Sequence, residues 1–343
     1  MKPPFRQILT GIALAFAINA VAVEPGKTIR PGEIWPDDRG QHINAHGGGI
    51  LKVGDTWYWF GEYRPKDEEP GKRYVSCYSS TDLVNWKFRG LPINSTAPDG
   101  LGPHWVLERP KVYYNAKTKK FVMWMHIDGP RNPYERDPKE TANYSIARIG
   151  VAVSDTVDGS YKFVRTFRPL GQESRDIGQF VDDDGTAYVI FESRPTGGFF
   201  IAKLSDDYLS VAEKTAFIRA RIEGGALVHY NGLYYLVGSH LSGWAPNPNL
   251  YATAKSLKGP WSEFKDIAPP ETDTYGSQST MLLTVAGTKK TTVIYMGDEW
   301  KPKAQWDSRY LWMPLEIGDG KLSLPQPREW KLDTLTGEAH IKQ

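Results

Sequence analysis

Residues 222–240 read IEGGALVHYNGLYYLVGSH: an acid and two glycines lead into an apolar run, an Asn231-Gly232 pair, and a second apolar run. Asn-Gly between two such runs is a strong hairpin signal, because both central residues of the tight turn must take positive φ. Four other segments repeat the pattern: AHGGGILKVGDTWYWFGEY from Ala45, ERPKVYYNAKTKKFVMWMHID from Glu108, RDIGQFVDDDGTAYVIFES from Arg175 and SQSTMLLTVAGTKKTTVIYMGDE from Ser277. Each has a polar residue, a short strand, a turn, and a strand rich in Trp, Tyr, Val and Ile. Aligning them makes His46, Glu108, Asp176, Glu223 and Gln278 equivalent, at intervals of 62, 68, 47 and 55 residues. Such periods belong to propeller blades rather than helical solenoids.

After each hairpin comes a second alternating segment, at Tyr78–Gly90, Val151–Val164, Ile201–Val211, Tyr251–Phe264 and Leu311–Leu324. These supply outer strands. The expected fold is all-β, a five-bladed propeller of about four strands per blade with helix nearly absent, formed by residues 23–343 as one domain. The first strand of each blade lines the central channel of a propeller, so the five aligned residues converge at one end of the axis. Residues following each second strand return to the same face: Glu62, His126, Asp128, Glu192, His240, Ser242, Trp244, Asp298 and Glu299. The pattern therefore predicts a polar pocket there.

Ahead of the repeats, Met1–Ala22 carries Lys2 and Arg6, the apolar run Ile8–Ala17, and a small-residue end at Ala20-Val21-Ala22. That three-part pattern predicts a cleaved secretory signal peptide and a periplasmic or extracellular location. The apolar run is too short for a comfortable membrane span. Lys plus Arg number 42 against 40 Asp plus Glu, a net charge of +2, which gives no electrostatic case for nucleic acid or an anionic membrane. A monomer is expected. The single cysteine, Cys77, excludes an intrachain disulfide and reads as a small buried strand residue. Aromatic residues make up 13% of the chain, with 12 Trp, a surplus that suits both sheet packing and stacking on sugar rings.

Two carboxyl groups on opposite sides of a sugar are what glycoside hydrolysis needs. Glu223 is the first candidate for the acid. Gly224-Gly225 leave room for substrate, and the apolar strand beyond would desolvate the carboxyl and raise its pKa. Arg109 next to Glu108, and Arg175 next to Asp176, read as neighbours that hold those carboxylates ionised. Either acid could in turn raise the pKa of Glu223.

An acid at the head of a blade, Arg-Asp ahead of FVDDDGTAY, and Glu-Gly at the head of the fourth blade resemble glycoside hydrolase family 43 over nearly the whole mature chain. That resemblance implies an inverting hydrolase of arabinosides, xylosides or galactosides, with Glu223 as acid and Asp176 as the modulator of its pKa. Where the family usually has an Asp base, this chain reads Asn44-Ala45-His46-Gly47-Gly48-Gly49. AHGGG, ERPKV, IEGG and YGSQST in blade order look instead like the exo-β-1,3-galactanase branch. By that likeness Gln278 replaces the base, as an amide or its imidic acid tautomer, and Glu108 contacts substrate. Ser242 and Trp244 would face the galactose, and Glu62, Tyr144, Glu192 and Asp298 are further candidates for substrate contacts.

A neutral amide accepts only through its oxygen and is a poor base, so positioning a water is role enough for Gln278. The resemblance requires no cofactor and leaves open a hydrated structural calcium near the axis; His46, a lone His without ligand spacing, does not define a metal site. The substrate expected is a polysaccharide or oligosaccharide. Competing readings are an α-L-arabinofuranosidase or β-xylosidase, which would need a carboxylate base such as Asp298 or Glu299, and a non-catalytic galactoside-binding propeller.

Overall fold

The Asn231-Gly232 turn closes with φ of 49° and 77°, and Tyr230 pairs with Leu233 across it. The computed structural model describes residues 28–67, 72–95, 101, 105–129, 144 and 146–342; the expected signal peptide lies outside them. All five repeats form antiparallel hairpins. Their inner strands are His46–Val53, Val106–Asn115, Arg175–Val181, Ile222–Tyr230 and Gln278–Ala286, and the returning strands Thr56–Tyr63, Lys120–Asp128, Ala187–Ser193, Leu233–His240 and Thr291–Glu299. Blades one to four add two outer strands each, in sequence order, while the sheet of blade five has three strands.

The ends of the described chain cover the outer edge of blade five. Gly32 N–H donates to the Tyr310 carbonyl at 3.0 Å. Ile29 bridges Trp330, whose strand, Trp330–Leu332, pairs with Ala339–Ile341. Among the described residues helix is limited to four segments of three or four residues, and none is long and apolar enough to cross a membrane.

Burial concentrates between blades rather than within them. One apolar cluster joins blades one, four and five, and separate clusters fill the junctions one–two, two–three and three–four. At the junction of blades one and five, the Trp59 ring lies 4.6 Å from Trp312, 4.7 Å from Tyr310 and 5.3 Å from Trp86. Packing between blades thus absorbs much of the aromatic surplus. Cys77 is fully buried.

Each inner strand is interrupted at its site end by a register shift of one extra residue: between His46 and Gly49, Glu108 and Lys111, Glu223 and Ala226, Ser279 and Met281, and at Asp176 between Arg175 and Ile177. A bulge bends the strand, increases its twist and re-aims the side chains beside it. Three of the bulges use positive φ: 56° at Gly47, 65° at Gly224, and 48° at Arg109, which is not a glycine. Glycine is required at the first position, where a Cβ would lie 2.5 Å from Glu62 Oε1.

Candidate active site

The bulged ends of the inner strands surround a cavity of about 650 Å³, its open mouth included, lined by Glu62, Glu108, Arg109, His126, Tyr144, Arg175, Asp176, Arg194, Glu223, Gly243, Trp244, Gln278 and Trp300. Its floor is charged, and Trp244 and Trp300 meet edge to face at 5.1 Å on one wall.

Glu223 is 5% exposed. Burial, reinforced by the negative charges of Asp176 and Glu192, outweighs Arg109 and Arg194 and pushes its carboxyl up to about 8. Glu223 therefore keeps its proton at neutral pH, as a general acid must. Gln278 Nε2 donates to Glu223 Oε1 at 3.2 Å and to Ser239 Oγ at 2.9 Å. The oxygen of the same amide accepts from Arg109 Nη2 at 2.5 Å and from Trp300 Nε1 at 2.9 Å. Arg109 Nη2 also pairs with Asp176 Oδ2 at 2.9 Å, and Asp176 Oδ2 accepts from Gly224 N–H at 3.2 Å. Gln278 and Asp176 are thus joined through one buried guanidinium, and Glu223 is bonded to the Gln278 end of that link.

A second cluster holds Glu108. Its Oε1 accepts from Tyr144 OH at 2.7 Å and from Arg64 Nη2 at 3.4 Å, and its Oε2 faces His126 Nδ1 at 3.3 Å. Burial alone would raise the Glu108 pKa, but His126, Arg64 and Tyr144 together hold it down at about 2. His126 Nε2 lies 3.1 Å from Asp128 Oδ2. Although burial opposes its charge, Asp128 and Glu108 at its two nitrogens raise His126 to about 10. Glu62, bonded to Arg64 Nη2 at 2.8 Å and to Arg109 N–H at 3.0 Å, is pushed by burial to about 7 despite Arg64.

Seven of the ten residues expected at the site line this cavity: Glu223, Gln278, Glu108, Asp176, Glu62, Tyr144 and Trp244. Glu192 stands behind it, buried, holding Arg194 Nε at 2.9 Å. Asp298 is also behind the wall, where its oxygens accept from Gly47 N–H and face His46 Nδ1, each at 3.0 Å. Ser242 is exposed and turned into its own loop, donating to the Ala245 carbonyl at 2.5 Å. His240 is exposed, and Glu299 lies against Gly32, outside the lining.

The reading that Arg109 holds Glu108 and Arg175 holds Asp176 is corrected. Neighbours on a strand project to opposite sides, and the bulges turn them further apart. Arg109 pairs across the axis with Asp176 and Gln278, and Arg175 with Glu173 at 2.5 Å. Trp300, Arg64 and Arg194 were missed by the sequence reading. Trp300 follows Glu299 directly, and a repeated Glu-x-Arg at Glu62–Arg64 and Glu192–Arg194 marks the two arginines.

The residues around His46 do not fit a calcium ion. His46 Nε2 is buried with no hydrogen-bond partner among the described residues, but the adjacent Gly47 and Gly48 carbonyls accept from the buried Lys111 Nζ at 2.8 and 2.6 Å. With Asp298 also engaged, this is not the set of available oxygens that calcium requires.

A propeller whose axial cavity holds a buried glutamate pushed up to about 8 and a second held down at about 2 is built for glycosidic chemistry, and the protein is a glycoside hydrolase. The model for glycosyl hydrolases family 43 matches residues 46–300, and the chain belongs to that family. Exo-β-1,3-galactanases from Phanerochaete chrysosporium, solved with β-1,3-galactotriose, and Clostridium thermocellum match at 38% and 37% identity. Each alignment covers 92% of this chain, with 70% and 69% of theirs, at TM-scores of 0.83. A family 43 β-1,3-galactosidase solved with galactodeoxynojirimycin matches at 35% identity over 86% of this chain and 97% of its own, with a TM-score of 0.76. These likenesses bear out the resemblance to the exo-β-1,3-galactanase branch. No curated protein sequence matched the chain.

Proposed function

We propose that the protein is a secreted, inverting exo-β-1,3-galactanase that releases galactose from the non-reducing end of β-1,3-galactan, the backbone of arabinogalactans. The observation that carries this reading is the buried Glu223, its carboxyl pushed up to about 8, with Gln278 beside it, in a chain that reads Asn44-Ala45-His46-Gly47-Gly48-Gly49 where the resemblance leads one to expect the family's aspartate base. Glu223 gives its proton to the leaving galactosyl oxygen as the glycosidic bond breaks. The entering sugar parts Gln278 from Glu223, and water ordered by the freed amide N–H adds its oxygen to the anomeric carbon from the face opposite Glu223. The proton that this water releases restores Glu223 over the full cycle. Glu108, Tyr144 and Glu62 serve the hydroxyls of the bound sugar, and Trp244 with Trp300 offers rings to its apolar face. Export rests on the Lys2–Ala22 pattern.

The test is product analysis on β-1,3-galactan, with β-1,4-galactan and an aryl arabinofuranoside as controls, followed by proton NMR at early times. Galactose released from the β-1,3 polymer alone, first as the α-anomer, and lost in Glu223→Gln is the expected result. Release of arabinose or of the β-anomer would refute the reading; galactoside binding without turnover would make the propeller a lectin.

A further inference from the structure

We infer that Arg109 is the positioning residue that fixes the orientation and tautomer of Gln278, holding it as an amide with both Nε2 protons directed at Glu223 and Ser239. This deepens the proposed function and rests on it for its kinetic consequences. The argument begins with donor chemistry. A guanidinium and an indole N–H donate hydrogen bonds and have no lone pair with which to accept one. Arg109 Nη2 at 2.5 Å and Trp300 Nε1 at 2.9 Å both point at one end of the Gln278 side chain, so that end must be the oxygen. The other end, facing Glu223 and Ser239, must be nitrogen.

An imidic acid would carry a further hydrogen on Oε1, against two groups that cannot receive it and beside a permanent cation. It would also leave one proton rather than two on the nitrogen that faces Glu223 Oε1 and Ser239 Oγ. The surroundings therefore favour the amide, and Gln278 works by orienting what it touches.

Arg109 is placed for this at a conformational cost. It is 3% exposed, and its φ of 48° matches Gly47 and Gly224 at the corresponding bulges of blades one and four. A non-glycine residue in that region is held there by its surroundings. Here these are Asp176 Oδ2 at 2.9 Å, the Ser279 carbonyl at 3.0 Å, and the Arg109 N–H bonded to Glu62 at 3.0 Å. From blade two, one side chain thus reaches blades three and five.

The test is Arg109→Gly, which removes the guanidinium while giving the bulge the residue used in blades one and four. On β-1,3-galactobiose kcat should fall by ~100-fold or more, the loss typical when an aligned active-site donor is removed, with KM little changed. Added guanidinium at a non-denaturing concentration should restore much of that loss where ammonium does not, and Arg109→Lys should not substitute. Glu223 is faced by Asp176, Glu192, Arg109 and Arg194. Loss of the Arg109 cation should therefore move the basic limb of the pH profile upward, and guanidinium should return it. A folded Arg109→Gly enzyme with kcat close to wild type, or with a loss that guanidinium leaves untouched and an unmoved basic limb, overturns the inference.

An independent readout needs no turnover. In glutamine-¹⁵N-labelled protein, the side-chain signal that disappears in Gln278→Ala should show two protons on one nitrogen, with a shift that changes in Arg109→Gly. A single-proton signal overturns the inference whatever the substrate, whereas a wild type that turns over no galactan refutes the proposed function and leaves this readout to decide the tautomer.

Discussion

Replacing Asp176 by Asn removes one negative charge from the surroundings of Glu223 while keeping an acceptor for Gly224 N–H, now 3.2 Å from Asp176 Oδ2. Glu223 is raised from 4.5 to about 8, by burial first and by Asp176 next. A unit charge roughly 6 Å away at an effective dielectric constant of about 20 contributes about 3 kcal/mol, which corresponds to about two pH units. Arg109, released from its partner at 2.9 Å, bears more strongly on Glu223 and adds to the shift in the same direction. The acid works with its proton on, so activity is present below the Glu223 pKa and lost as pH rises through it. In Asp176→Asn that loss should move from near pH 8 to about pH 6. At pH 7 only about a tenth of Glu223 would then be protonated, so kcat/KM should drop about tenfold from protonation alone. The assay is kcat/KM against pH on β-1,3-galactobiose, with wild type and variant in the same buffers. A basic limb that stays in place, or moves upward, would refute the assignment of Asp176 as the group that tunes Glu223.

Tyr144→Phe removes the 2.7 Å hydrogen bond to Glu108 and should lower kcat/KM by about 10- to 100-fold, on the order of the 1.5–3 kcal/mol of a bond to a charged group; a change in thermal stability without a kinetic one would contradict a role for this pair in the site. His126→Gln leaves Glu108 and Asp128 without the imidazolium between them, and urea unfolding at pH 7 should show a loss of about 3–5 kcal/mol. Because the folded pKa of His126 is raised to about 10, its contribution is complete below its unfolded value near 6.5. The gap between wild type and variant should therefore narrow as pH rises toward 10. Trp59→Ala opens the junction of blades one and five, where Trp59 packs within 5.3 Å of three other rings, and should cost about 3–5 kcal/mol. A chemical-denaturation loss under about 1 kcal/mol would show that this junction collapses around the missing ring.

Hairpins, blade count and the site end of the axis were legible because they rest on local rules. An Asn-Gly pair enforces its turn, alternating apolar residues select strands, and a repeated unit brings equivalent residues together wherever the ring closes. That reasoning brought Glu223, Gln278, Glu108 and Asp176 into one cavity, and reading outward from each second strand added Glu62 and Trp244, while Tyr144 came with the family resemblance. It failed where a bulge or a turn changed the direction of a side chain. Ser242 follows its strand as expected but is drawn back into its loop by Ala245 and Asn247, and Asp298 is retained behind the wall by His46 and Gly47.

Sequence by itself determined the five hairpins, the burial of Cys77, and the desolvated position of Glu223 behind two glycines, since each follows from residues close together in the chain. Tertiary structure alone decided how the charges pair. Arg109 stands next to Glu108 in sequence, yet its guanidinium belongs to Asp176 and Gln278, 67 and 169 residues further along. The φ of 48° at its bulge points it across the axis, and no local pattern could indicate that, because the partners that hold this conformation come from two other blades.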